Sequence, residues 1–108
     1  MRTVTPSEAQ DVARWLDQNA AMIVDLREPD EIGGDCLSDA VSMPPSRFDP
    51  GALPAGHGKR VVFLSNDGVF SASAGQVAVD DGWLPQSWFV EGGARAWAAA
   101  GLPFGGCG

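Results

Sequence analysis

Two hydrophobic rhythms alternate along the chain. Ala9, Val12, Ala13, Leu16 and Ala20 fall on one face at helical spacing. Thr5-Pro6-Ser7-Glu8 ahead of them predicts a helix start, with Thr5 as cap, Glu8 reaching back and Pro6 where no amide donor is needed. Ala21-Met22-Ile23-Val24 is a short continuous apolar run ending in Asp25, the pattern of a strand buried on both faces of a parallel sheet. Residues 27–58 are rich in Pro, Gly and Asp and predict loop and short turns, with a brief strand at Ala40-Val41-Ser42-Met43 that Pro44-Pro45 ends.

Arg60-Val61-Val62-Phe63-Leu64 is the clearest strand, and it runs into the polar turn Ser65-Asn66-Asp67-Gly68. A helix is predicted from Ser71 to Asp80 with Ala74, Val77 and Ala78 inward, ended by Gly82. Ser87 to Val90 reads as a strand, Glu91-Gly92-Gly93 as a turn, and Ala94 to Ala100 as a last helix closed by Gly101. Alternating strands and helices predict one α/β domain, a small, mostly parallel central sheet with helices on both faces. Residues 1–103 form that domain, and 104–108 read as a Gly-rich tail.

Composition narrows the function. With 108 residues, 44% of them apolar, the chain has material for a single core. A net charge of -7 opposes nonspecific binding to nucleic acid or an anionic membrane. No apolar run is long enough to span a bilayer, and no basic stretch followed by an apolar one opens the chain, so a soluble cytoplasmic protein is expected. The only cysteines, Cys36 and Cys107, give no disulfide framework or metal knuckle, and neither metal nor cofactor is expected. Two free thiols are the expectation in a reducing compartment, with a bridge between them as the alternative.

Four stretches, in order, resemble the rhodanese domain. Asp25-Leu26-Arg27-Glu28 with Glu31 is similar to that family's Asp-x-Arg-Glu opening. Ala40-Val41-Ser42-Met43-Pro44 is similar to the end of its Gly-His-Ile-Pro-Gly-Ala-x-x-Ile-Pro stretch. Arg60 to Leu64 stands where its central strand leads into the active-site loop. Glu91-Gly92-Gly93 with Trp97, Gly101, Leu102 and Pro103 is similar to its closing signature.

The resemblance implies a rhodanese fold over nearly the whole chain, and it also exposes departures. Family members that move sulfur carry a cysteine directly after the central strand and often an arginine near the end of the loop. Here those places hold Ser65 and Phe70, and Asp35-Cys36-Leu37-Ser38-Asp39 replaces the Gly-His-Ile-Pro-Gly portion.

Sulfur transfer needs a thiolate that attacks sulfane sulfur and stores it as a persulfide, which a hydroxyl cannot do. The loop Ser65, Asn66, Asp67, Gly68, Val69 and Phe70 is therefore a degenerate site, with Asp67 adding negative charge where an anion would bind. The plain alternative is a polar turn at a strand end, with Gly68 left-handed. Ser65 as a hydrolase nucleophile would have only a carboxylate such as Asp67 or Asp35 as a weak substitute base. The only histidine, His57, precedes the strand and is separated from Ser65 by roughly 15 Å of extended chain.

Cys36 is expected to border the same rim as Ser65, which makes it a candidate relocated nucleophile for thiol transfer or ester cleavage. Asp35 and Asp39 beside it would suppress its thiolate. Leu37, Val69 and Phe70 are expected as apolar tips on that rim, a contact surface unless Phe70 folds inward to plug the pocket. The leading expectation is a catalytically inactive rhodanese-fold domain, a natural pseudoenzyme or an engineered scaffold. Its altered face, Asp35, Cys36, Leu37, Asp39, Val69 and Phe70, would bind a protein partner. The rivals are the Cys36 enzyme, a residual sulfurtransferase-family role and a structural remnant without partner.

Overall fold

The computed structural model describes residues 3–33, 35–37, 40–53 and 58–106. Five parallel strands form the central sheet: β1 (Thr3–Ser7), β2 (Ala21–Asp25), β4 (Val41–Ser42), β5 (Arg60–Leu64) and β6 (Gln86–Val90), in the order β1-β6-β5-β2-β4. Helices α1 (Ala9–Asp17), α2 (Pro29–Ile32), α3 (Val69–Asp80) and α4 (Gly93–Ala99) connect them, and β3 (Asp35–Cys36) pairs antiparallel with β7 (Gly105–Gly106) in a separate two-stranded ribbon.

The pleat of β2 and β5 sorts the core into two layers, because successive side chains point to opposite faces. Ile23, Val62 and Leu64 meet Ala9 and Val12 of α1 and Ala94 and Trp97 of α4. Val24, Val61 and Phe63 meet Ala74 and Ala78 of α3, with Met43 and Leu84. The sheet is therefore buried on both sides, as its continuous apolar runs imply.

Several expectations change in the structure. Thr5-Pro6-Ser7 is not a capping box but part of edge strand β1, paired with β6 from Thr3↔Gln86 to Ser7↔Val90. An edge position tolerates Pro6 because one side of its backbone has no ladder partner. The capping box belongs instead to α2, where Glu28 and Glu31 exchange backbone and side-chain bonds, in a stretch expected to be loop. Helix α3 begins two residues earlier than Ser71, so Val69 and Phe70 form its first turn. Val77 faces outward, and Val79 takes the buried place.

The tail is also more than a linker. Trp97 Nε1 donates to the Pro103 carbonyl at 3.1 Å, Phe104 leans on Trp97, and Gly105 pairs with Cys36. Residues 104–106 thus pack on the domain. His57, Asp39 and Cys107 lie outside the described residues.

Candidate functional site

The C-terminal ends of parallel strands leave a crevice where the chain turns into helices, the usual place for a site in an α/β sheet. Here β5 ends at Leu64, and Ser65 stands at the floor of a cavity of about 340 Å³ bordered by Leu26, Arg27, Glu31, Pro45, Asn66, Asp67, Phe70 and Arg95. Ser65 is 5% exposed.

Two glycine positions bring the loop and α4 together. Gly93 has φ +65°, and a Cβ there would stand 2.2 Å from the Ser65 carbonyl oxygen. Only glycine permits that approach. The helix amides of Ala94 and Arg95 consequently donate to the carbonyls of Ser65 and Asn66 at 2.8 and 3.0 Å. Gly68, at φ +88°, turns the loop into α3 and packs against the Gly92 backbone. The Gly-Gly signature is the seat on which the loop rests, and it is intact.

The Ser65 hydroxyl is fully engaged. Its Oγ accepts from the amides of Gly68 at 3.1 Å and Ser71 at 3.2 Å and donates to Ser71 Oγ at 3.0 Å. Ser71 Oγ in turn donates to the Gly68 carbonyl at 3.1 Å. Amides that could face a bound anion are thus turned onto the serine oxygen. The arrangement closes the loop as a polar turn, and among the described residues no side chain with a basic nitrogen or carboxylate hydrogen-bonds to Ser65 Oγ.

Charge around the cavity is mixed. Arg27 is largely committed within the fold: Nε and Nη2 donate to the two Asp25 carboxylate oxygens at 3.0 and 2.8 Å, and Nη2 also donates to the Asp35 carbonyl. Both side chains of this pair are buried. The Asp-x-Arg opening is therefore a structural brace joining β2 to β3. Asp67 accepts from the Val69 amide at the start of α3, and Asn66 donates to Glu31. The loop is not without positive charge, however, because Arg95 in the first turn of α4 lines the wall. Sequence reasoning missed Arg95, Glu31 as a wall residue and Ser71. The signal available for Arg95 was its place right after Gly92-Gly93, on the turn that the close approach forces under the loop.

The residues expected on the rim separate. Val69 is 69% exposed, and Phe70 is 37% exposed, lining the cavity and meeting Phe48 edge to face at 6.1 Å. Phe70 is thus neither a full plug nor a free tip. Leu37 is a correction, since it is buried in the core layer with Trp97 and cannot form a contact surface. Its neighbours in β3 are held by the ribbon with β7, which turns Leu37 inward. Asp35 is exposed on that ribbon, outside the cavity wall.

Cys36 does not line the Ser65 cavity. It is disulfide-bonded, which corrects both the expectation of free thiols and that of a relocated nucleophile, because a sulfur in a disulfide offers no thiolate. Among the described residues no group of three or more His, Cys, Asp or Glu side chains could hold a metal, and no helix is long and apolar enough to cross a membrane.

Comparison with known proteins agrees with the geometry. Residues 8–100 match the family profile described as the rhodanese-like domain. An uncharacterized protein of Synechocystis is 37% identical over 101 residues, which cover 94% of this chain and 54% of that protein, so the chain spans about half the length of this curated relative. A rhodanese-related protein of Thermoplasma volcanium superposes with a TM-score of 0.76 at 24% identity, covering 92% of this chain and 95% of its own. A Rhodopseudomonas palustris protein of unknown function, described as a possible tyrosine phosphatase, gives 0.75 at 27% identity, covering 94% and 85%. On its sheet order, its loop seat and these matches, the chain belongs to the rhodanese-like domain family.

Proposed function

We propose that this domain does not transfer sulfur and that the cavity above Ser65 with its Val69–Phe70 rim is a docking surface for a protein segment. The observation that carries the first half is the engagement of Ser65 Oγ by two amides and Ser71. A hydroxyl oxygen held in this way would stand in place of the sulfur that stores a persulfide, and among the described residues no base is aimed at it.

The second half rests on the rim. Phe70 presents part of its ring beside the exposed Val69 while Phe48 braces its edge, an aromatic anchor with limited freedom. Glu31 and Asp67 outnumber Arg95 on the same wall, with Arg27 paired to Asp25, and so favour a partner segment that sets a basic side chain next to an apolar one. Selection of short peptides from a random display library tests this. Enriched peptides should carry that pairing, and Phe70→Ala should weaken them about 30-fold, the equivalent of roughly 2 kcal/mol for a lost anchor. Peptides that bind Phe70→Ala as well as the native chain would remove the docking surface.

A further inference from the structure

A second cavity, of about 380 Å³, opens at the opposite end of the sheet from Ser65. It exists because β5 and β6 pair only through Val62↔Trp88 and Phe63↔Phe89, whereas β5 pairs with β2 along all five of its residues. Arg60, Val61 and Gln86, which would extend the first ladder, border the gap instead, together with Lys59, Leu84 and Trp88.

The charge of this cavity runs against that of the chain. Acidic residues outnumber basic ones 14 to 7 overall, yet two of the seven basic residues line the gap and, among the described residues, no acidic one does. The Arg60 guanidinium lies 4.4 Å from the ring centre of Trp15 and 5.6 Å from that of Trp88. Cation–π contact of this kind restrains the guanidinium while its N–H groups can still donate to a ligand. Among the described residues no carboxylate forms an ion pair with Arg60, and Lys59 Nζ donates to the neutral side chain of Asn19.

We propose that this gap binds a small aromatic or apolar carboxylate, with the carboxylate on Arg60 and Lys59 and the ring against Pro85 and Trp88. The volume suits a small-molecule site, and the planar guanidinium fork beside two indole rings matches a planar carboxylate better than a compact anion.

Benzoate, benzamide and inorganic phosphate serve as probes, with amide and indole chemical shifts as the readout. Benzoate should give saturable shifts at residues 58–61 and 84–88 and leave the Ser65 loop unmoved. Lys59→Gln should weaken benzoate about tenfold, as expected for the loss of one charge-assisted hydrogen bond. Arg60→Lys, which keeps the charge and loses the fork, should weaken it as well, and spectra of both variants establish that they fold. Equal binding of benzamide or phosphate, unchanged affinity in Lys59→Gln, or shifts confined to the Ser65 loop would overturn the assignment.

Discussion

Ser65 and Ser71 share a buried hydrogen bond of 3.0 Å between their side-chain oxygens, and through it the first residue after β5 is tied to the first turn of α3. The bond occupies the donor of Ser65 while two amides occupy its acceptor sites. Ser65→Ala should therefore leave the Gly68 and Ser71 amides without their acceptor in a buried loop. The expected cost is about 1–3 kcal/mol in chemical denaturation. A change within about 0.5 kcal/mol, the usual size for an exposed substitution, would mean that the hydroxyl is not structural.

Trp97 and Phe70 should respond unequally to truncation. Trp97 is 3% exposed between α1, α4 and the closing segment, so Trp97→Ala should destabilise the domain by about 3–5 kcal/mol through the cavity left behind. Phe70 touches Phe48 by one edge and is partly exposed, and Phe70→Ala should cost under about 1 kcal/mol. Thermal or urea unfolding of both variants makes the comparison. Equal large losses would mean that Phe70 belongs to the core.

Cys36 should resist alkylation in the native protein. Peptide mapping after iodoacetamide treatment is expected to show residue 36 unmodified until a reductant is added, since the sulfur is held in a disulfide. Rapid labelling without reductant would return Cys36 to the set of candidate nucleophiles.

The scaffold was readable because its signals are local and repeated. Continuous apolar runs marked β2 and β5, and glycines at Gly82, Gly93 and Gly101 marked turns that the structure places at positive φ. The first strand was not readable, because Thr5-Pro6-Ser7-Glu8 satisfies a helix-start pattern, and only its pairing with β6, some eighty residues away, makes it extended. Leu37 failed for a similar reason. A single leucine among polar neighbours looks like a loop tip until the β3–β7 ribbon turns it onto Trp97. At the site, Ser65 and Phe70 stood out as departures from the family resemblance, and both line the cavity. Arg95 did not, since it reaches the cavity from a helix nearly thirty residues further on.

The central claim, that the serine has removed sulfur transfer, is tested most directly by thiocyanate formation from thiosulfate and cyanide. The native chain should form none above a protein-free control. Ser65→Cys alone should load little persulfide, because Asp67 and Glu31 oppose the anionic donor, and the added change Phe70→Arg should increase the loading. Sustained thiocyanate formation by the native chain would contradict the account.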